Sequence, residues 1–185
     1  GWQMHEQRVS WWADRLAGHV LILTGAGVSA ASNLQTFRGA GGMYQNVDAY
    51  RLASPEGFRD DPVLVWNWYW SRIRAVIAAQ PNPAHFAIAE VLRRNERAVL
   101  VTTNVDDLHE RAGAGTVWHL HGRILETRCT SCPRIEGISP NLWPETFCPS
   151  SLPACTHCGQ PLRPNVVWFG EYPDQAAFST ARAAI

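Results

Sequence analysis

Four of the five cysteines fall into two Cys-x-x-Cys pairs, Cys129 with Cys132 and Cys155 with Cys158, which is the spacing of a metal chelate. Each pair forms one knuckle, and two knuckles can close a tetrahedral tetrathiolate around Zn²⁺. Four thiolates leave no coordination position open, so the ion would be structural and would contribute folding free energy. Cys148 is left over and reads as a spectator thiol in a loop.

Three further segments carry chemistry-bearing side chains. Gly25-Ala26-Gly27-Val28-Ser29-Ala30 fits G-x-G-x-x-A directly after an aliphatic run, where glycine lets the backbone approach a pyrophosphate at a helix N-terminus. A tight strand-to-helix turn without a ligand fits the same pattern. Thr102-Thr103-Asn104-Val105-Asp106-Asp107-Leu108-His109 places an amide and carboxylates just past a second aliphatic run. Parallel sheets present ligand groups there, although Asn104 or Asp106 could equally cap a helix. His119-Leu120-His121-Gly122 puts two imidazoles on one face if the segment is extended. Histidine can act as a base near neutral pH, and it can equally be a hydrogen-bonded structural residue.

The elements that must position these groups follow from periodicity. His19 to Thr24 and Ala98 to Thr103 read as buried strands of the kind parallel sheets require. Between them, Pro62 to Ala79 has apolar residues at three- and four-residue steps, Pro81-Asn82-Pro83 ends that helix, and Ala84 to Asn95 forms another. Asn33 to Gly42 reads as a long loop near a ligand. Strand, helices, strand implies an α/β sheet. From Cys129 to Cys158 the composition turns to Pro, Ser, Thr and Cys, a stretch expected to need a metal to fold, and Asn165 to Phe169 restores strand character.

Composition bounds the partners. The chain has 185 residues, 46% of them hydrophobic, with 16 basic and 16 acidic side chains. That balance argues against a nucleic-acid groove or an anionic membrane as the main partner. The apolar runs are far shorter than the roughly 20 residues that cross a bilayer. Gly1 to Glu6 lacks the pattern of a secretory signal, so a cytoplasmic location is expected, with the natural start lying upstream of Gly1. Oligomeric state is not legible.

Taken in order, Gly25-Ala26-Gly27-Val28-Ser29, Thr36-Phe37-Arg38-Gly39, Asn104-Val105-Asp106, His121-Gly122, the two cysteine knuckles and Leu162-Arg163-Pro164-x-Val166-Val167-Trp168-Phe169-Gly170-Glu171 resemble the sirtuins. The resemblance covers residues from about 19 to 173 and implies an α/β fold, a doubly wound Rossmann-like parallel sheet with an inserted zinc module. The NAD-binding part would be 1–125 with 160–185, and the zinc ribbon 126–159. It further implies removal of acyl groups from protein lysines, with an acyl-lysine protein or peptide lying between the two parts and NAD consumed as co-substrate.

Roles transfer by position. Gly25, Ala26, Gly27 and Ser29 would line the phosphates, Arg38 would meet the pyrophosphate, and Phe37 would shield the reactive ribose carbon. Tyr44, Thr103 and Val105 would complete the cofactor site. Asn104 would hold the ribose, Asp106 the nicotinamide carboxamide, and His121 would be the general base that lets a ribose hydroxyl attack the acylated intermediate. Val167, Phe169, Gly170 and Glu171 would pair with the substrate backbone. Tyr69 and Arg72 stand three apart on one helix face, and with Ala40 they resemble the branch that removes succinyl and malonyl groups, an arginine fork holding the acyl carboxylate.

Two departures bear on the cofactor. Ser32-Asn33-Leu34-Gln35 stands where the family usually has Ser-Gly-Ile-Pro, and Thr103 stands where a glutamine is usual, so weaker NAD binding is expected. The segments that follow Trp-Phe-Gly-Glu in the family are not in this sequence, and low stability and turnover are expected of the chain by itself. An NAD and zinc-ribbon interaction module without catalysis, or transfer of ADP-ribose to protein, are the other functions this cleft could serve.

Overall fold

The computed structural model describes residues 7, 11, 15–36 and 48–185. Two aliphatic runs form the longest strand pair of the first sheet. β1 (Val20–Thr24) pairs parallel with β2 (Ala98–Thr102) in the register Val20 to Ala98 through Thr24 to Thr102. β2 in turn pairs parallel with the two-residue β3 (Trp118–His119), giving the order β1-β2-β3.

A parallel pair needs a long crossover, and here it is helical. α1 (Gly27–Ala30) is a single turn, and α2 (Ala49–Leu52) and α3 (Pro55–Asp60) are short. α4 (Pro62–Ala78) starts where the Asp61 carboxylate accepts from the Leu64 N–H, with Pro62 in the first turn. α5 (Pro83–Arg94) starts at a reciprocal cap: the Asn82 side chain accepts from the backbone of the first turn while His85 accepts from the Asn82 N–H. Proline in the first helical turn gives up no hydrogen bond, so Pro81-Asn82-Pro83 ends one helix and starts the next. α6 (Leu108–Arg111) follows β2. Among the described residues no helix is long and apolar enough to cross a membrane.

The second sheet is antiparallel. β4 (Gly122–Cys129) lies between β5 (Ile135–Gly137) and β6 (Leu162–Val166), so its strands come from residues 122–166. α7 (Gln175–Ala183) closes the chain against β2 and β3. Strand character expected at Asn165 to Phe169 is displaced to Leu162–Val166. Pro164 is tolerated because β6 is an edge strand. After Val166 the chain turns: Glu171 N–H donates to the Trp168 carbonyl, Trp168 N–H donates to the Glu171 carboxylate, and Gly170 takes φ +83°.

The cysteine-bearing segment also draws apolar contacts from outside itself. Phe147 is buried and packs with Trp143 against Trp66 and Trp70 of α4, and Ile138 and Leu152 pack against the same core. Both indoles donate across this contact, Trp66 Nε1 to the Leu162 carbonyl at 3.0 Å and Trp70 Nε1 to the Pro144 carbonyl at 2.9 Å. Asn67 bonds both the N–H and the carbonyl of Phe147. The missing apolar surface is thus supplied by α4, whose Val65, Trp66, Tyr69, Trp70, Ile73 and Val76 are buried.

Candidate active site

The strand register brings the chemistry together. β1 and β2 end level at Thr24 and Thr102, and Thr103 N–H donates to the Thr24 carbonyl at 3.0 Å, so the glycine turn and the Asn104 loop leave the sheet side by side. Gly25 sits against the Thr103 hydroxyl, where an added Cβ would be 3.4 Å from it. β3 ends at His119, and Leu120 N–H donates to the Thr102 carbonyl at 2.9 Å, which delivers His121 to the same end.

Ser29 is the node between the two loops. His85 Nδ1 accepts from Asn82 N–H at 3.0 Å, so in the neutral ring the proton is on Nε2, which faces Ser29 Oγ at 3.2 Å. Ser29 Oγ also accepts from Asn104 Nδ2 at 3.2 Å and donates to Asp106 Oδ2 at 2.9 Å. The other oxygen of Asp106 accepts from Leu108 N–H at 3.0 Å. Asp106 therefore both meets the glycine turn and orders the chain entering α6, whose N-cap position is Asp107. Burial holds the His85 ring below its ordinary pKa despite the facing Asp106 carboxylate, which is consistent with the neutral tautomer.

Behind the node lies a second histidine. His109 Nε2 bonds Thr24 Oγ1 at 2.9 Å, the His85 and His109 rings meet edge to face, and burial together with His85 pushes His109 down to about 4. A third, His119, faces the Asn104 carbonyl with Nδ1 at 2.7 Å and Glu110 Oε1 with Nε2 at 2.6 Å, while Arg123 holds the same carboxylate oxygen at 2.9 Å. Burial would push Glu110 up, but His119 and Arg123 outweigh it and hold the carboxyl below its usual range.

A cavity of about 260 Å³ opens beside the node, lined by Ala26, Ser29, Arg72, Asn104, Val105 and Asp106 together with Asn33, Leu34 and Gln35. Asn33 takes φ +64°, a left-handed conformation that asparagine adopts less readily than glycine. Val105 also receives Ile124 N–H on its carbonyl at 2.9 Å, fastening the loop to β4. His121 is half-buried and does not line this cavity. Burial lowers its pKa from 6.5, opposed by the Thr103 backbone carbonyl.

The two residues of the Tyr-x-x-Arg pair part company. Arg72 lines the cavity with its guanidinium 4.9 Å from the Trp68 ring. Tyr69 is buried with its Oη accepting from Trp168 Nε1 at 2.9 Å. Val167 N–H donates to the His121 carbonyl at 2.8 Å, and Phe169 N–H donates to the Ala53 carbonyl while its half-exposed ring lies against Tyr50. Gly170 is exposed in the turn, and Glu171 is held by Arg163. Phe37, Arg38, Ala40 and Tyr44 lie outside the described residues.

The four thiols converge. Cys129 and Cys158 Sγ are 3.4 Å apart, Cys132 lies 3.8 Å from both Cys155 and Cys158, and all four fall within 4.8 Å of one another. A tetrahedron with Zn–S bonds of about 2.3 Å has edges of about 3.8 Å, so the donor set and its spacing fit structural zinc. Asn82, His85, His109 and Arg163 were not singled out in the sequence as site residues. The one signal available was Asn82 to His85, the cap position and its third successor.

The model of the Sir2 family matches residues 25–185. A protein of Methylococcus capsulatus named NAD-dependent protein deacylase is 49% identical over 174 residues, 92% of this chain and 68% of that one. NAD-dependent protein deacylase 1 of Pseudomonas aeruginosa is 48% identical over 177 residues, 92% of this chain and 70% of its own. Among solved structures, a Sir2 homologue in complex with NAD superposes with a TM-score of 0.79 at 42% identity, covering 97% of this chain and 67% of that one.

Proposed function

The chain belongs to the Sir2 family, and from that premise we propose that it removes acyl groups from protein lysines at the expense of NAD, favouring succinyl and malonyl over acetyl. The observation that carries the preference is the place of Arg72, whose side chain lines the same cavity as Ser29, Asn104 and Asp106. A guanidinium there can take a carboxylate in bidentate fashion, and an acetyl group offers none.

The residues present fit the dinucleotide. The cavity is walled by a glycine turn on one side and by an amide and a carboxylate, both already oriented through Ser29, on the other. Bound NAD would supply an electrophilic ribose carbon and a nicotinamide leaving group. Asn104 would hold the ribose and Asp106 the carboxamide, each with one contact spent on Ser29 and so fixed in direction. His121 would take the proton on a ring nitrogen whose lone pair is free in the neutral imidazole. The depressed pKa keeps that lone pair available at neutral pH.

The test is nicotinamide release from NAD with succinyl-lysine and acetyl-lysine peptides, on the wild type and on Arg72→Met. A charge-assisted contact contributes about 1.5–3 kcal/mol, so the substitution should cut the succinyl-to-acetyl ratio of kcat/KM by about ten- to a hundredfold. An unchanged ratio would overturn the preference, and absence of nicotinamide release from the wild type would overturn the activity.

A further inference from the structure

Arg163 is a charged residue in an edge strand, and its side chain is only 9% exposed. Its guanidinium makes a parallel fork onto Glu171, Nη1 to Oε2 at 2.8 Å and Nη2 to Oε1 at 2.7 Å. Nη2 also donates to the Val166 carbonyl at 2.8 Å, and the guanidinium carbon lies 3.5 Å from the Trp168 ring centroid. Glu171 Oε1 accepts in addition from Trp168 N–H at 2.8 Å. The ion pair therefore closes residues 166–171 into one staple, with Trp168 held from its face by Arg163 and from its edge by Tyr69.

The staple touches the site on its other side. Val167 N–H donates to the His121 carbonyl, Val166 pairs with Gly122, and Gly122 lies so close to the Asn165 carbonyl that a Cβ would not fit. The backbone on the carboxyl side of the His121 Cα is thus fixed against the segment that the ion pair closes. Glu171 itself is fully occupied: one oxygen takes Arg163 and Trp168 N–H, the other takes Arg163.

We propose that Arg163 and Glu171 are a positioning pair for His121, holding the imidazole in its place at the end of the sheet through the Val166–Val167 backbone. The proposal rests on the deacylase reading, in which His121 is the base. The two side chains act through the backbone, so their loss should fall on kcat and leave the KM for NAD nearly alone.

The experiment compares the wild type with Arg163→Lys, Glu171→Gln and the double variant. It reads kcat and KM by nicotinamide release from NAD and acyl-lysine peptide, and the hydrogen-exchange protection of the Val167 amide. Lysine keeps the charge but cannot make the fork, and displacements of about 1 Å in a reacting group cost up to a hundredfold. Each single variant should lose about tenfold or more in kcat, with a matching loss of Val167 protection, a KM for NAD within about twofold, and a double variant no worse than the poorer single. Unchanged kcat in the singles, or single effects that multiply in the double, would overturn the pairing. Should Arg163→Lys lose its fold by circular dichroism, Glu171→Gln, nearly isosteric and still able to accept from Trp168 N–H, decides the matter alone. A wild type that releases no nicotinamide would instead sink the proposed function, and the positioning role with it. That outcome differs visibly from an active wild type whose variants match it.

Discussion

Gly122→Ala should destabilise the protein far more than a substitution at another glycine with the same backbone conformation. Gly122 takes φ +84° and Gly113 takes φ +90°, so alanine meets the same left-handed penalty at both, about 1–2 kcal/mol. Their surroundings differ. At Gly113 an added Cβ meets nothing within 4 Å, whereas at Gly122 it lands on the Asn165 carbonyl oxygen and 3.0 Å from both the Asn165 carbonyl carbon and Val166 Cα. These are backbone atoms of the paired strand β6, so no side-chain rotation relieves the contact. Overpacking of this kind costs about 1–3 kcal/mol, and parting β4 from β6 there gives up the bond from Val167 N–H to the His121 carbonyl, about 1 kcal/mol more. The sum is about 3–6 kcal/mol for Gly122→Ala against about 1–2 for Gly113→Ala. Urea denaturation followed by tryptophan fluorescence reads both. Equal midpoints and slopes for the two variants would refute the claim that β6 is pressed against the His121–Gly122 backbone.

Zinc and pH supply two more tests. The protein should carry one zinc per chain, and a strong chelator or Cys158→Ser should abolish near-ultraviolet dichroism from the module, because four thiolates that share no ion have little to hold them together; metal analysis finding no zinc, or a spectrum indifferent to chelation, would contradict the site. Because burial sets the His121 pKa below 6.5 and the base form is the deprotonated one, the acid limb of kcat/KM should bend below pH 6.5, with activity lost as pH falls through the depressed pKa. A limb centred above 6.5 would mean that another group, or a charged imidazole, governs the step.

What the sequence disclosed and what it withheld divide along the distance between partners. β1 and β2 are uniform aliphatic runs, α5 is announced by Asn82 followed by proline, and the cysteine pairs are three apart, so each is a local pattern with a local cause. The histidine network had no such signature. His85 meets Ser29 across 56 residues and His109 meets Thr24 across 85, and an isolated histidine in a helix says nothing about either. Spacing put Tyr69 on the face of Arg72 correctly as geometry, yet the direction of its hydroxyl is set by Trp168, 99 residues on. β6 was misplaced for a related reason: Leu162–Val166 contains an arginine and a proline, and reads as a strand only when Glu171 neutralises the first and an edge position excuses the second.

The same contrast explains how a small sheet can organise the site. Only two residues of β3 pair with β2, too few to fix a catalytic imidazole by sheet hydrogen bonds alone. His119 adds contacts to Glu110 and the Asn104 carbonyl on one side of His121, and β6 with its staple adds contacts on the other. The candidate base therefore stands where the parallel sheet hands the chain to the antiparallel one, and its orientation depends on both sheets at once. Loosening either should misplace it, which makes the junction at His121 and Gly122, more than the cavity wall, the part of the molecule least tolerant of change.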